Sequence, residues 1–313
     1  MAALDVRELR RQIYGEGDPN RADLERLIGL GRHEARDAEF AELIADIATD
    51  VLVRDTAPPG YIANEDADWL IGALSEGGGL VCSAEFGILK ALARRAICVP
   101  SQLTTFAVRE IEKAVLTGRR DVTGGVDHEP GVVSSEDVAA LRSVVFAATL
   151  GHPLHVDRAT AEALFDIAHA TATADNAPEF PDFFAQSVGN YLIGADLVAA
   201  PDREEAMQVE SELARPGGFG AFFALMLAGK PDLSEIEETV SGDQETDDRA
   251  LNVALASRLD AASHVDADEA KWVIAHLSRG GQLTAAERRL LAFLRNEATS
   301  APPELTQLYA QAA

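Results

Sequence analysis

Along most of the chain, apolar residues recur every three or four positions, the spacing that gathers them on one face of a helix. Ile62, Ala67, Trp69, Leu70, Ile71 and Leu74 form one such set, and Val265, Ala270, Trp272, Val273, Ile274 and Leu277 repeat it in register. Asn64 and Asp266 stand just ahead of these two predicted helices as caps, with carboxylates in the first turn, where the helix dipole favours them. Consecutive glycines then end both helices, in "SEGGG" and "SRGG", because glycine loses too much backbone freedom to continue a helix. A second helix follows each loop. Val81, Glu85, Ile88, Leu89 and Leu92 correspond there to Leu283, Glu287, Leu290, Leu291 and Leu294, with Ser83 and Thr284 marking the starts. The match takes in both tryptophans of the chain and predicts a unit of helix, glycine loop and helix that is used twice.

Weaker copies extend the pattern. "VVSSEDVAALRSVVF" from Val132 reproduces the first helix and "VDRATAEALFDIAHA" the second. "EFPDFFAQSVGNYL" from Glu179 parallels "EFAELIADIATDVL" from Glu39, so that Phe180, Phe183, Phe184 and Leu192 stand where Phe40, Leu43, Ile44 and Leu52 do. "LTTFAVREIEKAVL" from Leu103 and "ELTQLYAQA" from Glu304 fill the same third-helix slot. The predicted fold is all-α: three-helix units at residues 1–55, 60–118, 131–196 and 263–313, packed into one helical-repeat array in which each unit buries its apolar face against a neighbour. Residues 197–262 break the pattern as a divergent helical insert. Its "GFGAFFALML" from Gly218 reads as a buried helix and its acidic "DLSEIEETVSGDQETDD" from Asp232 as a solvated linker.

Composition narrows the function. Lys and Arg number 27 against 52 Asp and Glu, a formal charge of −25 that repels nucleic-acid phosphates and anionic membranes. It suits a protein partner, a basic one above all, or divalent cations. Cys82 and Cys98 read as small buried hydrophobes rather than a redox pair. No apolar run reaches the roughly 18 residues of a membrane span, and the N-terminal residues carry no signal-peptide core, so a cytoplasmic location is expected.

Two constellations bear on chemistry. A helix, a Gly-rich loop with an aliphatic residue after it, and a second helix opening with Glu resemble a degenerate EF-hand. They also resemble the tellurite-resistance TerB-like helical domains, where a turn of the form D-G-x-aliphatic-x-x-x-E joins two helices. The resemblance covers each loop with its flanks, and it implies an all-helical domain that is either ligand-poor or metal-associated. With Glu85 as the last ligand of a calcium loop, the earlier ligand positions fall on Leu74, Glu76 and Gly78; with Glu287 they fall on His276, Ser278 and Gly280. Neither set makes a calcium cage, so both glutamates read as first-turn carboxylates.

The second constellation is "GHPLHVD" with "FDIAH", which offers His152, His155, Asp157 and His169, with Asp166, as ligands for zinc or another divalent metal. No phosphate-binding loop, dinucleotide fingerprint or nucleophile elbow occurs, and no H-E-x-x-H. The expected function is therefore a non-catalytic protein-binding scaffold or adaptor. A divalent-metal sensor or store is the alternative. Trp69 and Trp272 are the candidates either for core anchors of the repeat or for partner-binding residues.

Overall fold

The computed structural model describes residues 5–15, 17–33, 37–76, 78–119, 122–123, 129–147, 156–194, 203–204, 206–208, 264–277, 279 and 281–312. His152, His155, Ser278, Gly280 and the insert's apolar and acidic stretches lie outside them. The described residues form an all-helical fold, apart from two isolated bridges. In chain order the helices are α1 (Val6–Gly15), α2 (Arg21–His33), α3 (Ala38–Thr49, prolonged by a π turn over Asp50–Arg54), α4 (Asn64–Ser75), α5 (Ser83–Arg95) and α6 (Ser101–Thr117). They continue with α7 (Ser135–Val145), α8 (Arg158–Ala170), α9 (Phe180–Gly194), α10 (Ala267–Leu277), α11 (Ala285–Glu297) and α12 (Pro303–Thr306, prolonged by a 3-10 turn over Gln307–Ala312).

The most apolar helices lie deepest. Phe40, Leu43, Ile44 and Ile47 of α3 are fully buried against α5, and Phe183, Phe184 and Val188 of α9 are fully buried in the half that holds α11. Burial of each such side chain contributes about 1.5–3 kcal/mol. The pairs α3/α5 and α9/α11 make the most extensive helix contacts, and α6 joins the halves, touching α4 and α5 on one side and α7 and α8 on the other. By contrast α1 buries only the stripe Val6, Leu9 and Ile13 and turns arginines outward.

Matched backbone contacts frame the two glycine loops. Tyr61 bridges Cys98, and His264 bridges Ser300, both in parallel sense. Ile62 N–H donates to the Cys98 carbonyl at 3.3 Å and Val265 N–H to the Ser300 carbonyl at 3.1 Å, so each helix pair begins and ends side by side.

Most helix starts follow the expected capping chemistry. Asp37 accepts from the Phe40 amide, Asp157 from the Thr160 amide, and Asp266 from the amides of Asp268 and Glu269. At α4 the cap expected at Asn64 is displaced, and α6 and α12 start after Pro100 and Pro302 without a side-chain cap. Asn64 is the first helical residue of α4 rather than its cap, and the cap position falls to Ala63, in extended backbone. Ala63 is the residue that matches Asp266, and with no side-chain oxygen at that position α4 starts without a side-chain cap.

Candidate functional site

Charged and aromatic side chains gather at each glycine loop. In the first half the indole N–H of Trp69 donates to Glu25 Oε1 at 2.9 Å, and the Arg21 guanidinium, paired with Asp66, lies 5.1 Å over the indole ring. Further along α2, Arg32 Nε donates to Glu85 Oε1 at 2.6 Å. Its other nitrogens donate to the carbonyls of Ala73 (3.1 Å), Leu74 (2.8 Å) and Glu76. One guanidinium thus covers the carbonyls that end α4 and neutralises the carboxylate that begins α5. Glu85 is fully buried, and its second oxygen accepts from the amides of Val81 (2.5 Å) and Cys82 (3.3 Å). From α6, buried Glu110 accepts from the Leu80 amide at 2.8 Å and pairs with Lys113. Gly79 permits this approach. Its φ is +124°, and a Cβ there would collide with the Glu110 carboxylate.

The second half builds a matching cluster from α8, α10 and α11. Trp272 Nε1 donates to Glu162 Oε1 at 3.2 Å, and Arg158 lies 5.7 Å over its ring. His169 Nε2 donates to Glu287 Oε1 at 3.0 Å, while the other oxygen of that buried carboxylate accepts from the Thr284 amide at 2.6 Å. Burial alone would raise the Glu162 carboxyl, but the Trp272 N–H and Arg158 together hold it below its ordinary range.

Around Trp272 the packing is aromatic. Tyr191 meets it edge-on at 4.9 Å, Phe165 at 5.7 Å, and the His276 ring lies 4.4 Å away. His276 Nδ1 donates to the Trp272 carbonyl at 2.9 Å, which leaves Nε2 as the unprotonated nitrogen of the neutral ring. Burial chiefly pushes this imidazole below its ordinary value; Arg279 and His169 add to the effect, and the Trp272 carbonyl and Glu162 oppose it.

These placements settle where several candidates sit. Trp272 is 7 % exposed and Trp69 is half-buried. Glu85 and Glu287 are first-turn carboxylates, each closing a capping box onto the start of its own helix. Asp157 caps α8 at one end, and His169 lies in the last turn at the other. Twelve residues of helix separate them by about 18 Å along the axis, so these two members of the proposed metal set do not share an ion. Asp166 pairs with Arg109 at 2.7 Å and with Arg279 at 3.5 Å. Among the described residues no group of three or more His, Cys, Asp or Glu side chains could hold a metal.

Several residues of the clusters escape the sequence reading: Arg21, Glu25 and Arg32, with their counterparts Arg158 and Glu162. Their signal was present in "RADLERLIGLGRH" and "RATAEALFDIAHA", which align Arg21 with Arg158, Glu25 with Glu162 and Arg32 with His169. It is faint because no apolar position carries it.

A separate feature lies at the junction of the halves. An open groove of about 390 Å³ runs along α6 to the start of α8, lined by Ser101, Thr105, Phe106, Arg109, Lys113 and Ala159 among others. Among the described residues no helix is long and apolar enough to cross a membrane. Compared with protein-family models, with curated proteins and with solved structures, the chain matches none.

Proposed function

We propose that this chain is a non-catalytic, protein-binding scaffold or adaptor, built from four three-helix units in tandem. The observation that carries the reading is the groove along α6, open to solvent at the junction between the two halves. Stacked helices leave such grooves, and another chain's apolar face fits them. Phe106 supplies an apolar surface, while Ser101, Gln102 and Thr105 offer hydrogen bonds at its edge. The buried carboxylates support the same reading. Glu85, Glu110 and Glu287 each hold a backbone amide together with a basic side chain, so their oxygens are committed to the loops.

The test is site-specific photocrosslinking in native extract from a residue in the groove, Ser101 or Ala159, against one on the outer face of α1, such as Arg7; all three are exposed. The scaffold reading expects one defined partner protein captured from the groove positions and not from α1, with capture lost in Ser101→Arg. Equal capture from all positions, or none, overturns it. A stoichiometric uptake of zinc or calcium by the stripped protein would transfer the reading to a divalent-metal sensor.

A further inference from the structure

The two clusters differ in one chemical respect. Where the first half has Ala73 and Arg32, the second has His276 and His169 at the matching positions, with both imidazoles packed against Phe165 at 4.9 and 5.8 Å. His276 is 4 % exposed and lies against the ring of Trp272. Its Nδ1–H is held by the Trp272 carbonyl, and its Nε2 is buried with no hydrogen-bond partner among the described residues.

We propose that His276 is a proton-operated latch that holds α10 against α8 while its ring is neutral and releases it when the ring takes up a proton. A neutral imidazole fills an aromatic niche well. A protonated one places a charge at a buried Nε2 that no group among the described residues bonds.

The Trp272 carbonyl and Glu162 compensate that charge only in part, and burial outweighs them. On α8, Glu162 is engaged by Trp272 and Arg158, Asp166 by Arg109 and Arg279, and His169 by Glu287 of α11. Arg279, just after α10, and His169 repel a proton on His276. From α9 comes Tyr191, whose ring meets Trp272, and α12, packed against α10, carries exposed Glu304 and half-buried Tyr309. The downward shift of the His276 imidazole, caused chiefly by burial, agrees with this surrounding. The unfolded chain takes up the proton first, near pH 6.5, so the stability His276 contributes is complete above about pH 6.5. It is lost as pH falls from there through the lower folded value.

Trp272 reports on the latch and Trp69, with Ala73 in place of the imidazole, serves as the control. Trp69→Phe leaves Trp272 as the sole emitter, and Trp272→Phe leaves Trp69. On titration from neutral pH to about pH 5, Trp272 emission is expected to shift to the red in a distinct step below about pH 6.5. Trp69 emission stays level over the same interval. His276→Ala, which installs the first half's residue, removes the step; His276→Gln, closer in size, guards against a cavity effect. Three results overturn the latch: both tryptophans changing at one midpoint, a step that survives both His276 variants, or no step at all.

Discussion

The two halves of the molecule solve one problem with different residues. Each must fix a glycine loop between two helices, and each does so with a tryptophan bonded to a glutamate and a buried carboxylate that draws a basic side chain across the loop. In α1–α6 that side chain is Arg32, permanently charged and long enough to reach three carbonyls as well as Glu85. In α7–α12 it is His169, which meets Glu287 from one ring nitrogen, and aromatic packing around Trp272 takes up the remaining space. The first half makes more directional polar bonds through its basic side chain, and the second adds contact between rings.

The helix pairs beneath the loops show the same exchange. Buried Thr49 of α3 stands where α9 has Gly189, and Ala91 of α5 stands where α11 has Phe293. Thr49 bonds the Ala45 carbonyl and accepts from Arg95 at 3.0 Å, whereas Gly189 leaves room for the Phe293 ring, which a Cβ would strike. Volume removed from one helix is returned by its neighbour.

The comparison can be broken at several points. Arg32→Ala leaves Glu85 buried and unpaired, and should lower stability by about 3–5 kcal/mol in urea unfolding. His169→Ala removes one hydrogen bond to a carboxylate and the ring packed on Phe165, and should cost about 1–3 kcal/mol. Equal losses would mean that the two pairs are interchangeable. Trp272→Ala should cost about 3–5 kcal/mol, and Trp69→Ala clearly less because that ring is only half-buried. Gly189→Ala should cost about 1–3 kcal/mol through overpacking against Phe293. In a Phe293→Ala background most of that penalty should disappear, and a double-mutant cycle measures the coupling. The smallest effect belongs to Asp157→Ala, about 1 kcal/mol for a lost helix cap, with the same melting shift in the presence and absence of zinc.

Much of the fold was legible because apolar spacing alone encodes it. The helices carrying Trp69 and Trp272, the glycine breaks and the starts at Thr284 and Asp266 all follow from burial and capping rules that act over a few residues. The site was less legible. Arg32 and Glu85 are far apart in sequence, and a polar residue on a helix gives no sign of which carbonyls it will reach. The candidate metal set illustrates the limit from the other side. Asp157 and His169 lie close in the chain, yet a straight helix holds them apart, and each serves the helix end at which it lies. Asn64 shows it on the smallest scale, since the cap position of α4 falls on Ala63, the residue matching Asp266, and Asn64 lies one residue inside the helix.

The central claim is that the buried carboxylates of both clusters are structural. The most direct measurement is the urea-unfolding stability of Glu85→Gln and Glu287→Gln beside the wild type. Both variants should be less stable, Glu85→Gln by the larger margin because its carboxylate balances a guanidinium. Unchanged or increased stability in either variant would contradict the claim, since that is the behaviour of carboxylates retained for chemistry at the expense of the fold.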